Sequence, residues 1–184
     1  MSVILDIISS VIIGGIIMVI IIGIIANLSQ SSYEKYESTR SESNRIALAR
    51  QIEFDLEKIG FHATKPAILA ADSNSIWFNA DLYKDKVVRG VRYYLGSPTE
   101  TLVSKTKNPR DRVFYREESG KATTVYNYGV TNLRFTYYDS TGAATTNRVV
   151  VKAIEITVDI ETTEPHNSVY QSFTWQKRFY PLNL

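Results

Sequence analysis

The feature that most constrains this sequence is a long apolar stretch near its N-terminus, residues 3–28. Isoleucine dominates the stretch, and Asp6 is its one charged residue. As an α-helix of about 26 residues it would be roughly 39 Å long, whereas the hydrocarbon core of a bilayer is about 30 Å thick. The sequence therefore predicts an N-terminal helix that is long and apolar enough to cross a membrane.

A cleaved secretory signal peptide is the alternative interpretation of this stretch. Such peptides begin with a basic region, carry a shorter apolar run and end at a cleavage site with small residues. Here no basic residue precedes the run, and no clear small-x-small site ends it. We therefore expect the segment to remain part of the functional protein.

The polar sequence after the apolar stretch continues with the periodicity of a helix. Four residues recur at intervals of three or four and share one helical face: Ala49, Ile52, Leu56 and Ile59. Gly60 follows at the position where a left-handed residue commonly ends a helix. The sequence thus predicts three regions: an apolar helix over 1–32, its amphipathic continuation over 33–60, and a sheet domain over 61–184.

The residues from 61 onward carry the signals of an antiparallel sheet. A loop is predicted over 62–74 and a hairpin turn at 117–120 (EESG). The clearest strand is 153–161 (AIEITVDIE), where apolar and polar residues alternate as in a sheet that packs on a helix with one face. Similar but weaker patterns predict strands over 75–79, 87–95 (with a bulge at Gly90), 113–116, 123–128, 133–138 and 169–180. The predicted fold class is α+β: a long N-terminal helix, apolar and then amphipathic, packed on an antiparallel β-sheet.

The order of these features resembles type IV pilins and pseudopilins. In that family an apolar N-terminal helix continues as an amphipathic helix, which packs on an antiparallel sheet. More narrowly, four stretches resemble the larger (W-type) minor pilins and the J-type minor pseudopilins of type II secretion: ALARQIEFDLEKIGF (47–61), VRYYL (91–95), VTNLRFTYYDSTG (130–142) and AIEITVDIE (153–161). The resemblance covers most of the chain and implies a subunit that assembles into a filament through its N-terminal helix.

The N-terminus departs from the pattern of the family. Family members have a short basic leader that ends in Gly and a Glu at the fifth position of the mature chain, whereas Leu5 is fifth here. Either a leader precedes the sequence, or the protein is not a substrate of the leader peptidase. In the second case, removal of Met1 would leave Ser2 first and would place Asp6 fifth.

Asp6 and three small residues are the candidate sites of subunit contact. A carboxylate inside an apolar helix costs a few kcal/mol unless it is paired. The functional interpretation, which rests partly on the pilin resemblance, pairs Asp6 with the free α-amine of a neighbouring subunit. The alternative places it at the membrane interface, near the positive end of the helix dipole. Ser10, Gly14 and Gly15 would allow close helix packing, although such residues are also common in membrane helices.

A basic run between residues 84 and 116 is the other candidate surface. Its bases outnumber its three acids, and they are Lys84, Lys86, Arg89, Arg92, Lys105, Lys107, Arg110, Arg112 and Arg116. A basic face of this kind would suit an acidic neighbour or DNA. An ordinary solvated surface is the favoured interpretation, because a block of charge is not itself a site.

Composition and motifs argue against several other classes. The chain has no Cys, which excludes disulfides, thiolate metal sites and Cys nucleophiles. Its two His, His62 and His166, are far apart and are expected in loops rather than as metal ligands. No nucleophile elbow, phosphate loop or dinucleotide motif is present. We therefore expect no enzymatic activity, no cofactor and no metal.

The sequence as a whole predicts a structural pilin-like subunit of an extracytoplasmic filament, of the type IV pilus or type II secretion pseudopilus type. Its expected partners are like subunits in a helical homo-oligomer, or other minor pilins, and the membrane through the N-terminal helix. With a formal net charge of +2, nucleic acid is not expected as a partner. The protein would lie in the inner membrane as a single-pass protein before it enters the filament. The alternative is a single-pass, membrane-anchored binding module that does not polymerise.

Overall fold

The structure is a computed structural model that describes residues 2–64, 66–100, 106–165 and 168–184. These residues form a helix, α1 (Ser2–Leu56), followed by seven strands. The chain divides into two compact units, Met1–Glu42 and Ser43–Leu184. The division predicted from the sequence, 1–32, 33–60 and 61–184, follows the change of polarity along α1 and the end of the helix, and it stays a prediction.

The seven strands form one antiparallel sheet in which each strand pairs with its neighbours in the chain. Their bounds are β1 (Ile68–Ala71), β2 (Ser75–Ala80), β3 (Arg89–Leu95), β4 (Arg112–Glu118), β5 (Thr124–Tyr138), β6 (Ala153–Glu161) and β7 (Ser172–Phe179). Antiparallel neighbours can be joined by turns and loops without a crossover, and the connections here range from three residues between β1 and β2 to 16 between β3 and β4. The predicted α+β class, a long N-terminal helix followed by an antiparallel sheet, is confirmed.

One row of residues at the C-terminal end of α1 lies in the core of the second unit. Ile52 and Leu56 are completely buried, and so is Ile59 just beyond the helix. The structure differs from the predicted row at its first position, because Ala49 is only partly buried and Leu48 is the buried residue one turn before Ile52. The same core cluster contains inward-facing residues of the sheet, among them Ile76, Phe78, Val91, Phe114, Leu133, Phe135, Ile154, Ile156, Val158 and Ile160.

The helix ends at Leu56, before the predicted end at Ile59. The Ile59 amide donates to the Leu56 carbonyl oxygen at 3.3 Å, an i→i−3 bond typical of a tightened last turn. Gly60 then has a φ of 77°, and a Cβ added there would lie 2.6 Å from the carbonyl oxygen of Asn183. The predicted left-handed conformation of Gly60 is confirmed, and close packing against the C-terminal segment is a second reason for glycine.

Strand β1 lies where the sequence predicts a loop. Its residues, ILAA, include one β-branched side chain and two alanines, so their intrinsic preference for a strand is low. They become a strand because β2 follows after a short turn and pairs with them, Ile68 with Phe78 and Ala71 with Ile76. Pairing with a neighbour thus overrides the local preference of this segment.

Strand β5 is a single strand of 15 residues, where the sequence predicts two. Its first part pairs with β4 and its later part with β6. Gly129, between the two parts, has a φ of 76°, and a Cβ added there would lie 2.1 Å from the carbonyl oxygen of Glu161. The register with β6 shifts just after it, between Val130 and Asn132. A glycine irregularity therefore allows the strand to change its main partner without ending.

Gly90 does not form the predicted bulge. It pairs with Asn79 in regular register between β2 and β3. A Cβ added at Gly90 would lie 2.9 Å from Ser119 Oγ and 3.1 Å from Trp77 Nε1. Glycine suits this position because neighbouring side chains occupy the space that a side chain would need.

Leu56→Asp should lower the free energy of unfolding of the second unit by about 3–5 kcal/mol, because it places an unpaired charge in the core. Denaturant unfolding of the full-length protein, followed by circular dichroism, measures this loss. The adjacent exposed residue provides the control, since Glu57→Gln should change the free energy by no more than about 0.5 kcal/mol. An unchanged unfolding midpoint for Leu56→Asp would contradict the burial of Leu56.

Candidate functional site

The N-terminal part of α1 is the candidate site of membrane insertion and assembly. The 34-residue segment Val3–Tyr36 is long and apolar enough to cross a membrane. Its most apolar 18 residues have a mean hydropathy of 2.9 and none of them is buried. Among the described residues it is the one helix with these properties. Its large apolar side chains up to residue 28 are between 49% exposed at Ile21 and 70% exposed at Val19. A continuous apolar surface of this size is typical of a membrane or protein contact.

Asp6 is the one charge within the apolar surface. The residue is exposed, and its carboxylate forms no hydrogen bond or ion pair with a described residue. An ionised carboxylate among apolar side chains is unfavourable until a cation or a hydrogen-bond donor meets it. Asp6 is therefore open to a partner outside the described chain.

Ser10, Gly14 and Gly15 have small or absent side chains on the exposed surface of this helix. The Ser10 hydroxyl donates to the carbonyl oxygen of Ile7 at 2.8 Å, so its polar group is satisfied within its own helix. A Cβ added at Gly14 or Gly15 would have no atom within 4 Å, which means that contacts within the chain do not require glycine there. The three residues thus lie on an open helix surface that another helix could approach closely.

A buried ionic network connects α1 to the sheet, and the sequence analysis missed it. Asp55 is completely buried, and its Oδ2 accepts hydrogen bonds from Arg116 Nε at 2.6 Å and from the Tyr93 hydroxyl at 2.5 Å. Arg116 Nη1 also donates to Glu118 Oε2 at 2.8 Å, and Lys121 Nζ lies 2.7 Å from Glu118 Oε1. Two carboxylates and two cations therefore alternate along one network, which compensates charges that are costly to bury alone.

The network keeps its members in defined protonation states. Burial raises the pKa of Tyr93 well above its ordinary value, and the neighbouring Asp55 charge raises it further. Burial acts to lower the pKa of Arg116, but the hydrogen bond and charge of Asp55 outweigh burial and raise it. Burial acts to raise the pKa of Glu118, yet hydrogen bonds from Lys121 and Arg116 hold it below its ordinary value. Tyr93 is thus a donor, and the Arg116 and Glu118 side chains are charged near neutral pH.

The one sequence signal for this network was the phase of β4. Arg116 and Glu118 alternate with Tyr115 and Glu117, so they point to the same side of the strand as the buried Phe114. Two charged residues in phase with a core residue indicate buried charges that need partners. The sequence alone did not reveal that the partner is Asp55, 61 positions away from Arg116.

The basic run between residues 84 and 116 does not form a continuous basic surface. Lys84 and Lys86 are exposed, and Lys105 lies outside the described residues. The other members contact carboxylates or a carbonyl oxygen: Arg89 with Asp85, Arg92 with Glu117, Lys107 with Glu164, Arg110 with Glu161, Arg112 with the carbonyl of Gly96, and Arg116 with Asp55. Most of these acids lie outside the run, so the count of charges within the run overstated its positive character.

Of the two histidines, the structure describes His62. His62 Nδ1 lies 2.9 Å from Asp81 Oδ2, and His62 has a left-handed φ of 54°. His166 lies outside the described residues. Within the part of the chain that the structure describes, no group of three or more His, Cys, Asp or Glu residues is placed to hold a metal ion.

Comparisons of the chain with protein-family models, with curated proteins and with solved structures found no match. Its class is therefore defined by its own architecture. It is an α+β protein with an N-terminal helix that is apolar enough to cross a membrane, followed by an antiparallel sheet.

Arg116→Met should lower the free energy of unfolding by about 3–5 kcal/mol, because it leaves Asp55 and Glu118 buried without their shared cation. In the matched control, Arg92→Met removes an arginine whose contact with Glu117 is long and partly exposed, and it should cost no more than about 1 kcal/mol. Chemical denaturation of the full-length protein measures both values. Equal losses in the two variants would contradict the special role of the buried network.

A double-mutant cycle tests the contact between Arg116 and Asp55 directly. Adding Asp55→Leu to Arg116→Met removes the stranded carboxylate, so the combined loss should be smaller than the sum of the two single losses by about 1 kcal/mol or more. Strictly additive losses would mean that the two side chains do not stabilise each other.

Proposed function

We propose that this protein is a structural, non-enzymatic, pilin-like subunit of an extracytoplasmic filament, of the type IV pilus or type II secretion pseudopilus type. The observation that carries the proposal is the exposed apolar surface of residues 3–28, in the helix segment Val3–Tyr36, with its single acid, Asp6. The same helix continues into the core of an antiparallel-sheet unit. In this proposal the apolar segment inserts into the membrane and packs against other helices, and the second unit lies on the extracytoplasmic side.

The first step in this function is insertion into the inner membrane as a single-pass protein. The apolar segment is longer than the hydrocarbon core is thick, so it spans the core with some tilt or extends beyond it. In lipid, all backbone polar groups of the segment are satisfied within the helix. The second unit has its own core, and it lies on the extracytoplasmic side in this proposal.

The second step is lateral transfer into a bundle of like helices. Lipid tails and isoleucine side chains are about equally apolar, so the hydrophobic effect does not favour the bundle over the membrane. Close packing between helices then favours the bundle over the membrane. The exposed surface at Ser10, Gly14 and Gly15 allows the backbones of two neighbouring helices to approach each other. These residues are the proposed contacts between subunits.

Asp6 sets the register of the bundle in this proposal. Its carboxylate pairs with the free α-amine of the adjacent subunit, so that two charges are compensated in a region with little water. An axial slip of one helix along another would separate the charges, and each would then be unpaired. The like subunit, or another minor pilin, is the partner.

A membrane-anchored binding module that does not polymerise is the other function that the apolar helix would serve. A lone anchor has lipid headgroups and water near the N-terminal end of its helix, where a carboxylate is tolerated. It has no neighbouring α-amine to meet Asp6. The two functions therefore differ in the expected effect of changing Asp6.

Asp6→Ala should reduce the number of filaments by about tenfold or more in cells that normally assemble the protein. Losing one ion pair per subunit contact weakens the contact, and about 1.4 kcal/mol corresponds to a factor of ten. Electron microscopy counts the filaments, and circular dichroism should show an unchanged second unit. Asp6→Glu is the matched control, because it keeps the charge and should retain part of the assembly.

Mass spectrometry of the N-terminus completes this experiment. The pairing requires a free α-amine at the residue that lies four before Asp6, which is Ser2. Normal filament numbers from Asp6→Ala would contradict the pairing, and filaments whose subunits retain Met1 would contradict the proposed register.

Deletion of residues 1–28 should yield a soluble monomer with its sheet intact, because the core of the second unit is built from residues after position 43. The full-length protein should require detergent. Circular dichroism and size-exclusion chromatography with light scattering measure the fold and the mass. A truncated chain that is unfolded would contradict the independence of the second unit, and one that still forms filaments would contradict assembly through α1.

A further inference from the structure

Asp111, immediately before β4, is a buried carboxylate without ordinary compensation. The residue is completely buried, and neither carboxylate oxygen accepts a hydrogen bond of normal geometry from a described residue. A buried carboxylate usually accepts several hydrogen bonds or meets a cation, because an unpaired ionised group is costly away from water. Asp111 departs from this rule, so its charge state needs an explanation.

The described groups around Asp111 are one donor, the side chain of Thr106, and the carbonyl and carboxylate acceptors of Glu161. A Cβ added at Gly129 of β5 would lie 3.7 Å from Asp111 Oδ1 and 2.1 Å from the carbonyl oxygen of Glu161 on β6. Both oxygens therefore lie near the position that a side chain at residue 129 would occupy. A protonated carboxyl group is a donor as well as an acceptor, so it suits surroundings that contain other acceptors better than a carboxylate does.

The charged groups near Asp111 do not neutralise it. From β6, the carboxylate of Glu161 acts on it unfavourably, and from β5 the adjacent residue is the uncharged Gly129. Arg110, the cation next to Asp111 in sequence, places Nη2 2.8 Å from Glu161 Oε2. Arg112, on the other side, donates to the carbonyl oxygen of Gly96. Each neighbouring cation is thus already engaged elsewhere.

These surroundings change the proton affinity of Asp111. Burial raises the pKa of Asp111 to about 6, the nearby Thr106 side chain opposes this rise, and the charge of Glu161 adds to it. A carboxyl group with this pKa changes its charge between about pH 5 and pH 7.

Asp111 ends a loop, residues 106–111, that is held against the end of β6 and the segment after it. Lys107 Nζ lies 2.7 Å from Glu164 Oε2, and Asn108 Nδ2 donates to Glu161 Oε2 at 2.8 Å. The Tyr170 hydroxyl donates to the carbonyl oxygen of Lys107 at 2.7 Å. These contacts hold the loop against the end of β6 and the segment after it, and Asp111 at the end of the loop is buried.

We propose that Asp111 is a proton-operated latch that closes the 106–111 loop onto the end of β6. With a proton on its carboxyl group, Asp111 is neutral and remains buried. When the proton leaves to solvent, the carboxylate is an unpaired charge beside Glu161, and the loop opens so that water can reach it. This latch lies in the second unit and does not depend on the proposed assembly through α1.

The sign of the pH dependence follows from the raised pKa. Between the ordinary aspartate pKa of 3.8 and the raised pKa of about 6, the folded protein binds more protons at Asp111 than the unfolded chain does. The stability contributed by the protonated group is therefore complete at low pH and is lost as the pH rises through about 6. Above pH 7 the loss is complete and the curve is flat. An asparagine at this position is neutral at every pH and lacks this term.

Thermal unfolding of the full-length protein in detergent tests the latch. The midpoint of the wild type minus that of Asp111→Asn should fall by about 5 °C or more between pH 4 and pH 7 and should then stay constant to pH 8. Glu164→Gln is the matched control, because it removes an acid of the same loop contact from a partly exposed position, and its difference from the wild type should not follow this curve. The same pH dependence in the wild type and in Asp111→Asn would overturn the proposal.

Two measurements on the wild type keep the test valid if Asp111→Asn does not fold. Nuclear magnetic resonance of ¹³C-labelled aspartate should give a titration midpoint for Asp111 near 6, and a midpoint near 4 would overturn the proposal. Hydrogen exchange, corrected for the intrinsic effect of pH, should show weaker protection of residues 106–111 at pH 7.5 than at pH 5. Equal protection at both values would overturn the latch even if the titration midpoint were raised.

Discussion

The apolar surface of residues Val3–Tyr36 is the constraint on which the rest of the interpretation depends. At about 25 cal/mol for each Å² of apolar surface removed from water, a helix covered with isoleucine is strongly driven to leave water. No described part of the chain buries this surface. Its cover has to be lipid or other apolar helices, and both proposed functions begin from this requirement.

The second unit solves a different problem, which is to hold the end of α1 on a sheet. Apolar contacts at Leu48, Ile52 and Leu56 supply the burial, but apolar surfaces alone tolerate rotation and sliding. Asp55 restricts both, because its carboxylate must meet Arg116 and Tyr93 at the same time. A buried ion pair adds little net stability over an apolar pair of similar size. We therefore interpret the Asp55 network as a device that specifies how the helix packs on the sheet.

Two carboxylates of this chain, Asp6 and Asp111, have no cationic partner among the described residues, and each carries one of the proposals. Asp6 is exposed on an apolar helix, whereas Asp111 is buried in the second unit. The acids that meet the basic run between residues 84 and 116, by contrast, have cationic partners. The physical remedies also differ. An exposed carboxylate can meet a cation from another molecule. A buried carboxylate that no cationic side chain reaches is neutralised more readily by a proton. Each remedy corresponds to one of the two proposals.

Features that depend on local pattern were determined by the sequence itself. The apolar run, the 3.6-residue period through Ile52 and Leu56, the alternation of β6 and the left-handed Gly60 follow from neighbours within a few positions. The tertiary structure decided what depends on distant partners: β1 formed by pairing with β2, β5 continued through Gly129 between β4 and β6, and Leu48 was buried in place of Ala49. It also placed Arg116 beside Asp55, and it placed acidic residues from other parts of the sequence beside the basic run. Burial and charge compensation are set by residues far apart in the chain, and a single sequence does not show which of them meet.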